Sequence, residues 1–243
     1  MRILVINPNT TAAMTATIEA CAAAAASPGT TVTAVTPTMG PVSIESHYDE
    51  ALAVPGLLAE IARAEEEGSA DGYVIACFGD PGLDAARELA RRPVVGIAEA
   101  AMRTAAYLGR GFSVVTTLDR TRGRAEDLAA HYGLARFCRR VRACEIGVLA
   151  LEEPGAHEAV LAECRRAVTE DGADAVVLGC AGMAELCQKI SAEIGVPVVD
   201  GVAAATRTVE TLVALGLRTG DQGEFARPPA KPYTGLLRDF QVQ

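Results

Sequence analysis

Ala70-Asp71-Gly72-Tyr73-Val74-Ile75-Ala76-Cys77-Phe78-Gly79 and Ala173-Asp174-Ala175-Val176-Val177-Leu178-Gly179-Cys180-Ala181-Gly182 are two copies of one pattern. Each is a short, β-branched apolar run that ends on a cysteine, and each leads into an Ala-rich helical stretch. Each stretch then closes on a proline and a pair of valines, Pro93-Val94-Val95 and Pro197-Val198-Val199. From cysteine to proline is 16 residues in the first copy and 17 in the second, counted from 77 to 93 and from 180 to 197. A run of this length bounded by turn residues reads as a buried strand. Two equivalent thiols, one per half, imply a cleft with a thiol on each wall. That arrangement suits moving a proton from one face of a carbon to the other.

Working outward, short β-branched runs alternate with helical stretches along the whole chain. The pattern predicts strands at 2–7, 31–36, 73–77, 94–97, 112–117, 137–142, 146–150, 175–179 and 196–199. It predicts helices at 11–26, 50–67, 82–91, 98–109, 120–132, 155–171, 183–194 and 201–216. Such alternation implies α/β architecture with parallel sheets covered by helices. The repeat extends upstream, because Ile3-Leu4-Val5-Ile6 and Phe112-Ser113-Val114-Val115 are both strands ending in polar residues. The chain therefore reads as two pseudosymmetric lobes. One comprises 1–97 with the final helix and tail, 205–243, and carries Cys77; the other is 98–204 and carries Cys180. In open α/β sheets ligands bind beyond the carboxyl ends of the strands. This rule gathers Asn9, Cys77, Thr116, Thr117 and Cys180 in one region, within reach of the loop Gly40–Ser46.

Composition excludes several classes. The 243 residues carry a net charge of −9, which argues against a nucleic-acid partner. No apolar stretch reaches transmembrane length, and the chain enters a strand at Arg2 without a signal-peptide pattern. We therefore expect a cytoplasmic protein with no membrane partner. Seven cysteines with no CxxC pair, and three histidines with no His-x3-His pair, disfavour a disulfide framework and a zinc site. The only lysines are Lys189 and Lys231, neither placed to hold pyridoxal phosphate. No cofactor and no metal are expected. A GxGxxG turn, a P-loop and a GxSxG elbow are all absent.

Cys77 and Cys180 each sit at the strand-to-helix switch of their repeat. A helix N-terminus stabilises thiolate, so lowered thiol pKa values are expected there. Gly79 and Gly182 allow close backbone approach. The other cysteines, 21, 138, 144, 164 and 187, read as small hydrophobes. Asp80 reads as the N-cap of the helix that follows Pro81, and His47 as a solvated loop residue. Asn9, Ser43, Thr116 and Thr117 suit either helix capping or hydrogen bonds to a substrate's carbonyl and N–H groups. The cluster Arg136, Arg139, Arg140 and Arg142 reads as a solvated or subunit-contact surface.

Ile6-Asn7-Pro8-Asn9-Thr10-Thr11, Ala76-Cys77-Phe78-Gly79-Asp80-Pro81-Gly82-Leu83, Gly96-Ile97-Ala98-Glu99-Ala100 and Gly179-Cys180-Ala181-Gly182-Met183 together resemble the hydantoin racemase branch of the Asp/Glu racemase superfamily. The resemblance spans essentially the whole chain. It implies two α/β domains, a homo-oligomer, no cofactor, and a two-cysteine mechanism with Cys77 and Cys180 as the catalytic pair. The implied substrate contacts are Asn9, Ser43, Phe78, Gly79, Thr116, Thr117, Ala181 and Gly182. Ala181 departs from close relatives, which often carry glycine there. The implied activity is cofactor-independent racemisation of 5-monosubstituted hydantoins, with allantoin a candidate. Two alternatives stay open. One is another chemistry of the superfamily: amino-acid racemisation, arylmalonate decarboxylation or maleate isomerisation. The other is a non-enzymatic two-lobed binding protein.

Overall fold

Alternation within each strand decides the layering. The computed structural model describes residues 1–242, of residues 184 and 185 the backbone only. The first half contains β1 (Arg2–Ile6), α1 (Ala12–Ala25), β2 (Thr31–Val35), α2 (His47–Glu67), β3 (Gly72–Ile75), α3 (Leu83–Leu89), β4 (Val94–Gly96) and α4 (Ile97–Ala106). The second contains β5 (Phe112–Thr116), α5 (Arg122–His131), β6 (Cys138–Ala143), α6 (Ala156–Thr169), β7 (Ala175–Leu178), α7 (Cys187–Ile194), β8 (Val198–Val199) and α8 (Gly201–Ala214). The strands form two four-stranded sheets of the same order, β2-β1-β3-β4 and β6-β5-β7-β8, and every pairing is parallel. One expected strand is absent. Residues 146–150 follow the end of β6 and curl into a 3-10 turn, Val148–Ala150.

Successive side chains of a strand point to opposite faces. Val5, Val74 and Val95 of the first sheet therefore join Val114, Val177 and Val199 of the second in one continuous core, filled by α1, α4, α5 and α8. Ile6, Tyr73, Ile75 and Val94 face outward onto α2 and α3. Val115, Val176 and Leu178 face outward onto α6 and α7. With both faces buried, the strands read as unbroken apolar runs. Each fully buried Ile or Leu is worth roughly 1.5–3 kcal/mol, against about 0–1 kcal/mol for an exposed ion pair. Apolar layering therefore holds the sheets together.

Two helices change sides. α8 packs on β3 and β4 of the first sheet, while α4 packs on β5, β7 and β8 of the second, and the two helices pack on each other. Gly72 admits α8: a Cβ there would lie 2.4 Å from Val209 Cγ1. Gly201 admits α4, because a Cβ would lie 2.7 Å from the Ile97 carbonyl oxygen. This exchange supports our proposal that the lobes are 1–97 with 205–243, and 98–204.

Candidate active site

The two cysteine turns are built by the same backbone hydrogen bonds. Ala76 N–H donates to the Ile6 carbonyl and Gly179 N–H to the Val115 carbonyl, both at 2.8 Å. After each cysteine the chain turns at once: Asp80 N–H reaches the Cys77 carbonyl at 3.0 Å, and Met183 N–H the Cys180 carbonyl at 3.1 Å. The backbone N–H of Gly79 donates to the Cys77 thiol, and that of Gly182 to the Cys180 thiol. Both turns lie past the carboxyl ends of the central strands, where the strand order reverses and α/β sheets bind ligands.

The two turns open onto one cavity of about 80 Å³, lined by both thiols. Asn9, Phe78, Gly79, Thr116, Thr117 and Ala181 also line it. Gly182 lies behind the wall, beside the Cys180 sulfur. Ser43 does not line the cavity. Thr10 and Thr11 bind the carbonyls of Pro41 and Val42, at 2.9 Å and 2.7 Å, and this turns Ile44, Glu45 and Ser46 inward instead. His47 is the first residue of α2 rather than a loop residue, and it too lines the cavity. The Asn9 side chain is held by its neighbours: its Oδ1 accepts from Asn7 Nδ2 at 2.8 Å and from Thr11 N at 2.9 Å. Thr116 Oγ1 meets Thr121 Oγ1 at 3.1 Å.

Glu45, Glu50 and Arg124 line the cavity without having been singled out in the sequence. Glu45 Oε1 accepts from Val148 N–H at 2.7 Å, so the missing strand at 146–150 becomes a cavity wall tied to the other half. Arg124 Nη2 pairs with Glu50 Oε1 at 2.7 Å and donates to the Gly79 carbonyl at 2.7 Å. The Arg124 Nε atom is buried with no hydrogen-bond partner. Only the helical phase of α2 and α5 could have marked Glu50 and Arg124, and charged residues on helices are ordinary; Glu45 lies in the loop before α2.

Burial overrides the expected lowering of the thiol pKa values. Desolvation, followed by the charges of Cys180, Glu50 and Asp80, pushes Cys77 up to about 12 against the opposing Gly79 N–H. Desolvation, then Cys144 and Glu45, pushes Cys180 up to about 11 against the Gly182 N–H. The helix-start argument falls short because Cys77 is six residues ahead of α3 and Cys180 precedes a 3-10 turn, Ala181–Leu186.

Asp80 caps a helix, though not the one after Pro81. Its buried carboxylate accepts from the N–H groups of Ala98 and Glu99 at 3.0 and 2.9 Å, at the start of α4. The hydroxyl of Tyr132, which caps the end of α5, donates to it at 2.6 Å. Asp80 takes a left-handed φ of 44° to reach them. Burial pushes its pKa up to about 6 despite these donors. The arginine cluster divides: Arg142 is buried, paired with Asp171 at 2.6 Å and Glu170 at 2.8 Å, and is no part of the solvated surface expected for it. Among the described residues no group of three or more His, Cys, Asp or Glu stands close enough to hold a metal ion, and no helix is long and apolar enough to cross a membrane.

Comparison with known proteins agrees with this geometry. The family model described as Asp/Glu/Hydantoin racemase matches residues 3–209. A hydantoin racemase of Pseudomonas sp. (strain NS671) is 50% identical over 242 residues, covering 99% of this chain and 97% of that protein. One from Rhizobium meliloti is 49% identical over 237 residues, covering 97% and 98%. The structure of an allantoin racemase from Klebsiella pneumoniae superposes with a TM-score of 0.96 at 51% identity, over 99% of each chain. The chain belongs to the Asp/Glu/hydantoin racemase family and is a racemase, an isomerase of that family.

Proposed function

We propose that this protein racemises 5-monosubstituted hydantoins, allantoin among them, by transferring protons at C5 between Cys77 and Cys180. The observation that carries the reading is that two equivalent turns, one from each half, open their thiols onto one small cavity. One cysteine, as thiolate, takes the C5 proton, and the electron pair moves into the adjacent carbonyl to give an enolate. The facing thiol gives its proton to the opposite face of C5. The roles exchange for the other enantiomer.

The raised thiol pKa values act both ways: a thiolate with a high pKa is the stronger base toward a carbon acid, and it is scarce near neutral pH. The same burial keeps the facing thiol protonated and ready to donate. The walls beside the thiols are Phe78 and Ala181, apolar side chains with backbone amides. An uncharged ring with carbonyls fits such walls better than an amino-acid zwitterion. Amides of the turns would stabilise the enolate oxygen. Asn9, Thr116 and Thr117 would contact the ring, and Gly79 and Gly182 act through their thiols. No residue of this scheme calls for a cofactor or a metal.

The names of the relatives support the substrate class. A cytoplasmic setting belongs to the same proposal, since the working thiols must stay reduced. So does a homo-oligomer, supported by the exposed Tyr107 and Leu217, which border one hollow at the ends of α4 and α8. Polarimetry of enantiomerically pure hydantoins, (S)-allantoin and the matching free amino acids tests the function. Rotation should decay to zero for the ring compounds and persist for the amino acids. Undiminished racemisation by a Cys77→Ala/Cys180→Ala double variant would remove the cysteine assignment.

A further inference from the structure

We propose that Arg124 and Glu50 form a positioning pair that reaches from one half of the molecule to the other, fixes the Cys77 turn, and makes the two thiols chemically unequal. The proposal rests on the reading of Cys77 and Cys180 as the working thiols, but its test does not depend on turnover.

The contacts form one chain. Arg124, the third residue of α5, pairs with Glu50 in the first turn of α2 and donates to the Gly79 carbonyl. The N–H of Gly79 in turn donates to the Cys77 thiol. Gly79 sits against the Glu50 carboxylate, since a Cβ there would lie 3.1 Å from Glu50 Oε1. Arg124 thus holds the Gly79 residue whose amide faces the sulfur, and it neutralises the carboxylate beside it.

The equivalent place in the other half holds no charge. Met14, the third residue of α1, reaches across to the Cys180 turn, its Cε lying 3.9 Å from where a Gly182 Cβ would be. Leu151 Cδ1 lies 3.2 Å from the same point. One turn is therefore clamped by an ion pair and its counterpart by a thioether and a leucine. Within the described structure the charged or titratable groups acting on Cys77 are Cys180 across the cavity, Glu50 from α2 and Asp80 from its own turn. Arg124 from α5 balances Glu50, and Tyr132 at the end of α5 binds Asp80. Glu45, His47 and Arg120 complete the ionisable lining of the cavity.

Two single substitutions should move Cys77 in opposite directions. In Arg124→Met the Glu50 carboxylate loses its counter-charge, and thiolate at 77 becomes harder to form. In Glu50→Gln a negative neighbour disappears, and thiolate becomes easier. The measurement is the rate of iodoacetamide alkylation at each cysteine, resolved by peptide mass spectrometry, from pH 7 to pH 10 on the full chain. A shift of about one unit in the titration of Cys77 changes its rate at fixed pH by about tenfold, and this is the change expected. The rate should fall in Arg124→Met and rise in Glu50→Gln, while Cys180 keeps its wild-type profile. Arg124→Lys should restore most of the wild-type Cys77 profile. If Glu50→Gln leaves Cys77 unmoved, or if both cysteines move together, the proposal is overturned. Glu50→Gln keeps the shape of the side chain, so this arm can be read even if Arg124→Met fails to fold. Loss of hydantoin racemisation in wild-type protein would strike the function and leave this alkylation result standing.

Discussion

The Cys77 and Cys180 turns share a backbone and differ in everything that surrounds it. Each thiol accepts an N–H from the glycine two residues on, and each turn closes on the residue three along. Around Cys77 those neighbours are charged: Arg124 crosses to Gly79, and Asp80 closes the turn. Around Cys180 both places are taken by methionine, Met14 crossing to Gly182 and Met183 closing the turn. The capping carboxylate has also moved. In the first half Asp80 reaches over to cap α4; in the second, Asp200 stands at the start of α8 and accepts from Val202 and Ala203. Two copies of one fold thus deliver two thiols to one cavity, and local charge sets them apart. Burial raises both, with charge from Cys180, Glu50 and Asp80 added at Cys77 and from Cys144 and Glu45 at Cys180.

The largest effect should come from removing one thiol at a time. Cys77→Ser and Cys180→Ser should each lower racemisation by about 10²–10⁴-fold, the usual scale of a lost general acid or base. Each variant should still exchange the C5 proton of one enantiomer for solvent deuterium, and the two should prefer opposite enantiomers. NMR of C5–H loss in D2O, corrected for spontaneous exchange, reads this directly. Equal exchange of both enantiomers by both variants would break the comparison in favour of a single base. In wild-type protein the rate should climb as pH rises from 7 to 10, because thiols raised to about 11 and 12 release their protons only toward that range.

Next in size is the cap. A Cβ on Gly96 would lie 2.3 Å from the Asp80 carboxyl carbon. Gly96→Ala should therefore destabilise the fold by roughly 1–3 kcal/mol, as overpacking does. Its counterpart, Asp200→Ala, removes a side-chain cap without a clash and should cost about 1 kcal/mol. Cys21 Sγ, 2.9 Å from Asp200 Oδ2, would lose that partner as well. Urea unfolding of the two variants ranks them, and equal losses would deny that the two caps differ in kind.

The last effect is a slope rather than a loss. Asp80 titrates at about 6 in the folded protein, above its ordinary 3.8. Between those values the folded state binds more protons than the unfolded chain. Its contribution to stability therefore falls as pH rises from about 4 to about 6 and is level above. Asp80→Asn should flatten this part of the curve relative to wild type. Urea midpoints for both proteins at pH 4.5 and pH 7 test it, and an unchanged difference between the two pH values would exclude Asp80 as its source.

The sequence by itself determined the repeat, because unbroken apolar runs ending on Cys77 and Cys180 leave few folds that bury both faces of each strand. It also determined the switch-point cluster of Asn9, Thr116, Thr117 and the two thiols, since strand ends are local features. Residues 146–150 misled, because an apolar run carries no record of its backbone partners; Glu45, a hundred residues earlier, supplies the acceptor that makes it a wall. Asp80 was legible as a cap, but its helix was not, since a cap's partner is chosen in space. Ser43 fell out of the cavity for the same reason, its loop being pinned from Thr10 and Thr11. Tertiary structure alone brought Arg124 to Gly79 and buried both sulfurs deeply enough to raise their pKa values. Desolvation and charge pairing depend on what surrounds a group in three dimensions, and a linear pattern specifies only its neighbours along the chain.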